Sequence, residues 1–180
     1  RWYLINKDMA FDIITIEPTT VDGAHAVGDV FFNLTSFQIP SRSCKLINFF
    51  MEVANGGGED DTKLGLLFFQ KNTQATLGTL DATANIGHAD FTSNQYIGQA
   101  FLSLTDGNGN DLDVIDTTAL YYGCNAGYSS SAARGTGALD PLVLKGDAGS
   151  TDIYVGGVVH AGAPDFDGTA NVKIHLHIEY

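Results

Sequence analysis

Residues 172–179 read Val-Lys-Ile-His-Leu-His-Ile-Glu, and this strict alternation of apolar and polar side chains predicts a β-strand with one buried and one wet face. Val172, Ile174, Leu176 and Ile178 fall on one side; Lys173, His175, His177 and Glu179 fall on the other. A helix would scatter both sets around its circumference. The rest of the chain follows the same grammar, with runs rich in β-formers separated by clusters of Gly, Asn, Asp and Ser, and with almost no helical periodicity. The predicted strands are Met9–Ile16, Asp29–Phe37, Lys45–Val53, Lys63–Gln70, Gln99–Leu104, Ala119–Tyr122, Asp152–His160 and Asn171–Glu179. About eight such strands point to an all-β, single-domain antiparallel β-sandwich of jelly-roll type.

Three segments break the pattern. Leu64–Phe69 is nearly all apolar, so both its faces need cover, either from the second sheet and a loop or from a neighbouring subunit. Between Gln70 and Ile97 the chain loosens into Thr, Asn, Ala and Asp, and Ile86–Tyr96 is the one short helix expected. Gly123–Asp140 is longer than a hairpin connection needs, which makes it a candidate contact arm. No repeat or linker divides the chain, so residues 1–180 are read as one domain, with residues 1–8 a candidate extended arm anchored by Trp2, Tyr3 and Leu4. The start, Arg1-Trp2-Tyr3, has the character of a processed or truncated end.

Composition removes several classes of partner. A chain of 180 residues that is 44% hydrophobic and 17% charged can bury roughly two thirds of its unfolded surface without metal or disulfide staples. A net charge of -12 repels phosphate backbones and anionic head groups, so nucleic acid is not expected as a partner. No run reaches the roughly 18 apolar residues of a membrane-spanning helix, so no membrane is expected either. Cys44 and Cys124 lack C-x-x-C spacing and read as buried small hydrophobes, a single bridge in an exported protein being the alternative.

Two groupings could carry ligand chemistry, and each has a plainer reading. Asp106, Asn108, Asn110, Asp111 and Asp113 alternate like the oxygen ligands of a calcium loop. Asp111, however, stands where an EF-hand needs glycine and Thr117 where it needs glutamate, so the stretch reads as a polar turn. His175 and His177 share a strand face, as two metal ligands would, but no third ligand is recognisable nearby and they read as solvated polar-face histidines. His25, His88 and His160 are isolated. Ser129, Ser130 and Ser131 beside Arg134, and the pair Asp165 and Asp167, sit in Gly-rich or turn contexts. No catalytic residues, cofactor or metal are assigned, and the chain is read as no enzyme.

Several segments resemble a family of virion structural proteins of tailed bacteriophages, of the capsid-decorating or cement-like kind. They are Ala26-Val-Gly-Asp-Val30, Cys44–Val53, Leu66-Leu-Phe-Phe69 with Gln70–Thr73 and Leu77-Gly78, Ile86–Asp90 leading to Tyr96-Ile-Gly98, Leu142–Gly149, Asp152–Val155 and Gly162-Ala-Pro164. The Gly56–Asp61 turn and the Tyr122–Leu139 segment depart from the family pattern. The resemblance implies a protein on the capsid exterior, partnered by the major capsid protein, homo-oligomeric with a trimer favoured, made in the host cytoplasm and resident on the virion surface. A rival reading is a carbohydrate- or receptor-binding β-sandwich using Trp2, Tyr121, Tyr122 and Tyr128 as stacking platforms. A jelly-roll enzyme has only His175 and His177 in its favour.

Overall fold

The computed structural model describes residues 10–54, 56–57, 63–74, 76–103, 114–115, 118–124, 142–166 and 172–180. In chain order the strands are β1 (Phe11–Ile16), β2 (Gly23–Ala24), β3 (Val30–Gln38), β4 (Ser43–Ala54), β5 (Gly56–Gly57), β6 (Lys63–Phe69), β7 (Tyr96–Ser103), β8 (Val114–Ile115), β9 (Thr118–Cys124), β10 (Leu142–Lys145), β11 (Asp152–Ala161), β12 (Asp165–Phe166) and β13 (Val172–Glu179). One helix, α1 (His88–Ser93), precedes β7, and a 3-10 turn, Asp147–Gly149, precedes β11.

All eight predicted strands are present, and their pairing defines the architecture. The antiparallel path runs β1-β13-β4-β9-β7-β6-β11-β3, with β10 alongside β4 and β8 alongside β9. Among the eight long strands, the first, eighth, third and sixth form one layer, and the second, seventh, fourth and fifth form the other. That order is a jelly roll, two Greek keys wrapped into a sandwich. The β7–β9 pairing, from Phe101 opposite Cys124 to Ser103 opposite Tyr122, carries the hydrogen-bonded path from one layer to the other. The short strands β2, β12 and β5 form a separate three-stranded sheet.

The inward faces build one core. β13 contributes Val172, Ile174, Leu176 and Ile178, as its alternation requires; β6 contributes Leu64, Leu66 and Phe68; β11 contributes Ile153, Val155 and Val159. β4 needs a correction of phase to join them. Cys44 and Leu46 point inward on even positions, whereas Phe49, Met51 and Val53 point inward on odd ones. The register against β13 shifts where Ile178 pairs Leu46 and His177 pairs Asn48, leaving Ile47 as the extra residue of a β-bulge. Without that bulge half of β4 would present its apolar set to water.

The sequence left two sources of cover for the outer face of β6, and the structure supplies the chain itself. Leu77 packs with Val30 and Phe69 in a second cluster, joined by Leu34, Leu67, Leu80, Ala84, Ile86 and Phe91. The connection between β6 and β7 therefore lies over the outside of the β3-β11-β6-β7 layer. The helix within it is shorter than Ile86–Tyr96. Asn94 turns back to Gln74, accepting from its N–H at 2.9 Å and donating to its carbonyl at 3.3 Å. Gln95 then takes a positive φ of 53°, and Tyr96 opens β7.

Candidate functional site

The other outer face, that of the β1-β13-β4 layer, has no comparable cover among the described residues. Antiparallel register places Phe11 opposite Glu179, Glu179 opposite Lys45, and Lys45 opposite Val143, one row crossing β1, β13, β4 and β10. The next row holds Ile13, His177 and Asn48, with the bulged Ile47 beside them. Phe11 is 63% exposed, Ile13 56%, Val143 52% and Ile47 38%, so most of the large exposed apolar side chains described lie here. Phe11, Asp12, Ile13, Ile47, His177 and Ile178 line a shallow hollow of about 470 Å³.

His175 and His177 stand on this face, held by aromatic and polar neighbours. The Phe50 ring stacks on His175 at 4.5 Å between centroids and meets His177 edge-on at 5.8 Å. Thr15 Oγ1 lies 3.1 Å from His175 Nδ1, and Glu52 Oε1 lies 3.7 Å from its Nε2. Glu52 also faces Lys173 Nζ at 3.5 Å. The His177 Nε2 is buried without a hydrogen-bond partner among the described residues. No group of three or more His, Cys, Asp or Glu placed to hold a metal occurs among the described residues.

A second, polar hollow of about 310 Å³ lies at the other layer's end, lined by Gln70, Lys71, Asn72, Thr73, Asp147, Ser150, Asp152 and Tyr154. Its groups are cross-braced. Lys71 Nζ reaches Asp147 Oδ2 at 3.1 Å, while Ser150 Oγ donates to Asp152 Oδ2 at 3.1 Å. In the orientation that satisfies both ends of its amide, Gln95 donates to Gln70 and Asp147 and accepts from Lys71. Gln95 and Ala148, two non-glycine residues with positive φ, both border this network.

The candidate calcium ligands Asp106, Asn108, Asn110, Asp111 and Asp113 lie outside the described residues, as do Trp2, Tyr128, Ser129–Ser131, Arg134 and Asp167. Asp165 lies on β12 and Tyr121 and Tyr122 on β9, where the backbone alone is described. Cys44 is a free, buried thiol, and burial raises its pKa to about 11. The sequence reading missed His25, which is 1% exposed with its Nδ1 3.2 Å from Asp81 Oδ1. No local signal joins those two; only the packing of the β6–β7 connection brings them together. No helix among the described residues is long and apolar enough to cross a membrane.

No family model and no curated protein matches the chain. Solved structures to which it is similar include one of Desmodium yellow mottle tymovirus, at 11% identity over 97% of this chain and 89% of that one, with a TM-score of 0.27. Another is of turnip yellow mosaic virus, at 9% identity over 95% of this chain and 91% of that one, again with a TM-score of 0.27. Scores at that level establish neither a shared topology nor a shared role.

Proposed function

We propose that the chain is a non-enzymatic virion structural protein of a tailed bacteriophage that decorates or cements the capsid exterior. It would act as a homo-oligomer, a trimer first among the options, docked on the major capsid protein. One observation carries this reading: several of the segments that resemble tailed-phage virion proteins are strands of the jelly roll, and the others are its turns and connections. Cys44–Val53 lies in β4, Leu66–Phe69 in β6, Leu142–Lys145 is β10, and Asp152–Val155 opens β11. A likeness carried by strands and turns, with no reactive motif among them, suits a scaffold role, because such a role needs shape and copy number and no reacting groups. The net charge of -12 would keep densely decorated particles dispersed.

The polar hollow favours a second reading, binding of a carbohydrate. Amide, hydroxyl, ammonium and carboxylate groups alternate there beside Tyr154, and each sugar hydroxyl both donates and accepts. Quantitative mass spectrometry of purified particles tests the first reading by counting this chain against the major shell protein. Roughly stoichiometric copies support capsid decoration; a handful moves the protein to the tail, and absence overturns the virion role. A glycan array tests the second, with Lys71→Ala expected to abolish any signal that belongs to this hollow.

A further inference from the structure

The row that crosses the exposed outer face reads, in order, Phe11 on β1, Glu179 on β13, Lys45 on β4 and Val143 on β10. It is apolar at both ends and holds an anion and a cation at its centre, where Glu179 Oε2 and Lys45 Nζ stand 3.4 Å apart. Such a row is complementary to itself. A two-fold axis lying in the interface parallel to the strands reverses its order, so Phe11 meets the Val143 of a second copy, Glu179 meets the second copy's Lys45, and the reciprocal contacts repeat both. In the neighbouring row the same reversal brings His177 against the second copy's Ile47.

Size and charge agree with such a pairing. Four strands are roughly 19 Å wide and β1 is roughly 20 Å long, a flat footprint of about 400 Å² per copy. The relief of the side chains brings the area buried by two copies to about 1,000–1,200 Å², the low end of a specific interface. Each copy carries a net charge of -12, but charges more than about 8 Å apart are largely screened at physiological ionic strength, and those at the contact attract. The opposite layer covers its own apolar exterior with Leu77, Leu80, Ile86 and Phe91. One self-complementary face therefore closes on two copies and builds no fibre.

We infer that two copies of the chain pair face to face through their β1-β13-β4-β10 layers, about a two-fold axis that runs between β13 and β4. The inference does not depend on the virion reading, and its test uses only the purified protein. Sedimentation velocity at about 0.15 M salt is expected to show a monomer–dimer equilibrium with a dissociation constant on the order of micromolar. Lys45→Glu sets carboxylate against carboxylate at both central contacts, and Glu179→Lys sets ammonium against ammonium, so each variant alone should dimerise at least about tenfold more weakly. An equal mixture of the two variants should restore association as a heterodimer, because the carboxylates of one chain then face the ammonium groups of the other. A role of the ion pair within one chain would give no such rescue. Val143→Asp, at the exposed end of the row, should also weaken the dimer, and it decides the matter if the charge variants do not fold by far-ultraviolet circular dichroism. A parent that stays monomeric at about 0.1 mM overturns the inference, as does a first associated species other than a dimer. Dimers that persist in the folded variants, or a mixture that fails to associate, overturn it too.

Discussion

Leu77 donates its backbone N–H to the side-chain oxygen of Asn33 at 2.7 Å, and the Asn33 amide nitrogen donates to the neighbouring Gly78 carbonyl at 3.1 Å. A side chain in the middle of β3 thus does for the β6–β7 connection what an adjacent strand would do, pinning it to the outside of the sheet. Asn33→Ala leaves a donor and an acceptor without their partners in a partly buried place. The expected loss is about 1–3 kcal/mol of stability. Urea denaturation checks it: the midpoint should fall with the slope unchanged, whereas an unchanged midpoint would mean that apolar contacts alone hold the connection.

Leu77 itself provides the companion experiment. It is fully buried between Val30 and Phe69, outside the main core, and its Cδ1 lies where a Cβ on Gly156 would come within 2.5 Å. Leu77→Ala should cost about 2–5 kcal/mol through lost contacts and the space left behind. The half-exposed Lys71–Asp147 pair in the same region should contribute about 0–1 kcal/mol, so Lys71→Ala should change the melt little. Finding the reverse order would show that the network around Gln95, and not the apolar cluster, secures the connection.

Much of this fold was written in period-two alternation. The eight long strands were legible as runs rich in β-formers bounded by Gly, Asn, Asp or Ser, β13 by strict alternation and β6 as an almost wholly apolar run. β10 was not, because its four residues show their role only when Leu144 pairs Cys44 along the edge of β4. The bulge at Ile47 was present in the sequence as a change of parity between Leu46 and Phe49, but it becomes meaningful only against β13. The cover of the second layer was illegible for a different reason: Leu77, Leu80, Ile86 and Phe91 follow no period, since they belong to a connection shaped by the sheet beneath it. His175 and His177 do lie on the outer face of β13, but they are not the solvated side chains that the alternation suggested: the Nε2 of each is buried, and Phe50, from a strand distant in sequence, stacks on His175.

Gly156 and Gly157 sit inside β11 where its register against β3 shifts. A Cβ at Gly157 would enter the ring of Phe32, which is itself fully buried, so neither group has room to withdraw. Gly157→Ala should therefore destabilise the protein by about 1–3 kcal/mol, against the usual small effect of adding a methyl to a strand. Pairing it with Phe32→Leu should recover part of the loss in a double-mutant cycle. Additive losses would place the strain elsewhere.

The polar stretch of Asp106, Asn108, Asn110, Asp111 and Asp113 yields an expectation about metal. With no glycine at position 111 and threonine at 117, it lacks both the sharp turn and the bidentate carboxylate of a calcium loop. The melting temperature should be the same in EDTA and in added calcium. A rise with calcium would assign the ion to this stretch, and Asp106→Ala would then abolish the rise.

Cys44 fixes how stability should respond to alkali. Burial among apolar neighbours disfavours its thiolate and raises its pKa from 9.0 to about 11. The unfolded chain loses the thiol proton first, so between those two values the native state binds more protons than the unfolded one. Stability from this group is therefore complete below pH 9 and falls as pH rises towards 11. Cys44→Ala should flatten that alkaline decline relative to the parent, even though the smaller side chain lowers stability at neutral pH. The same burial predicts that native Cys44 resists alkylation at neutral pH and reacts on denaturation, because the thiolate is the attacking species. Rapid labelling of Cys44 in the folded protein, mapped by mass spectrometry, would contradict both the burial and the pH dependence derived from it.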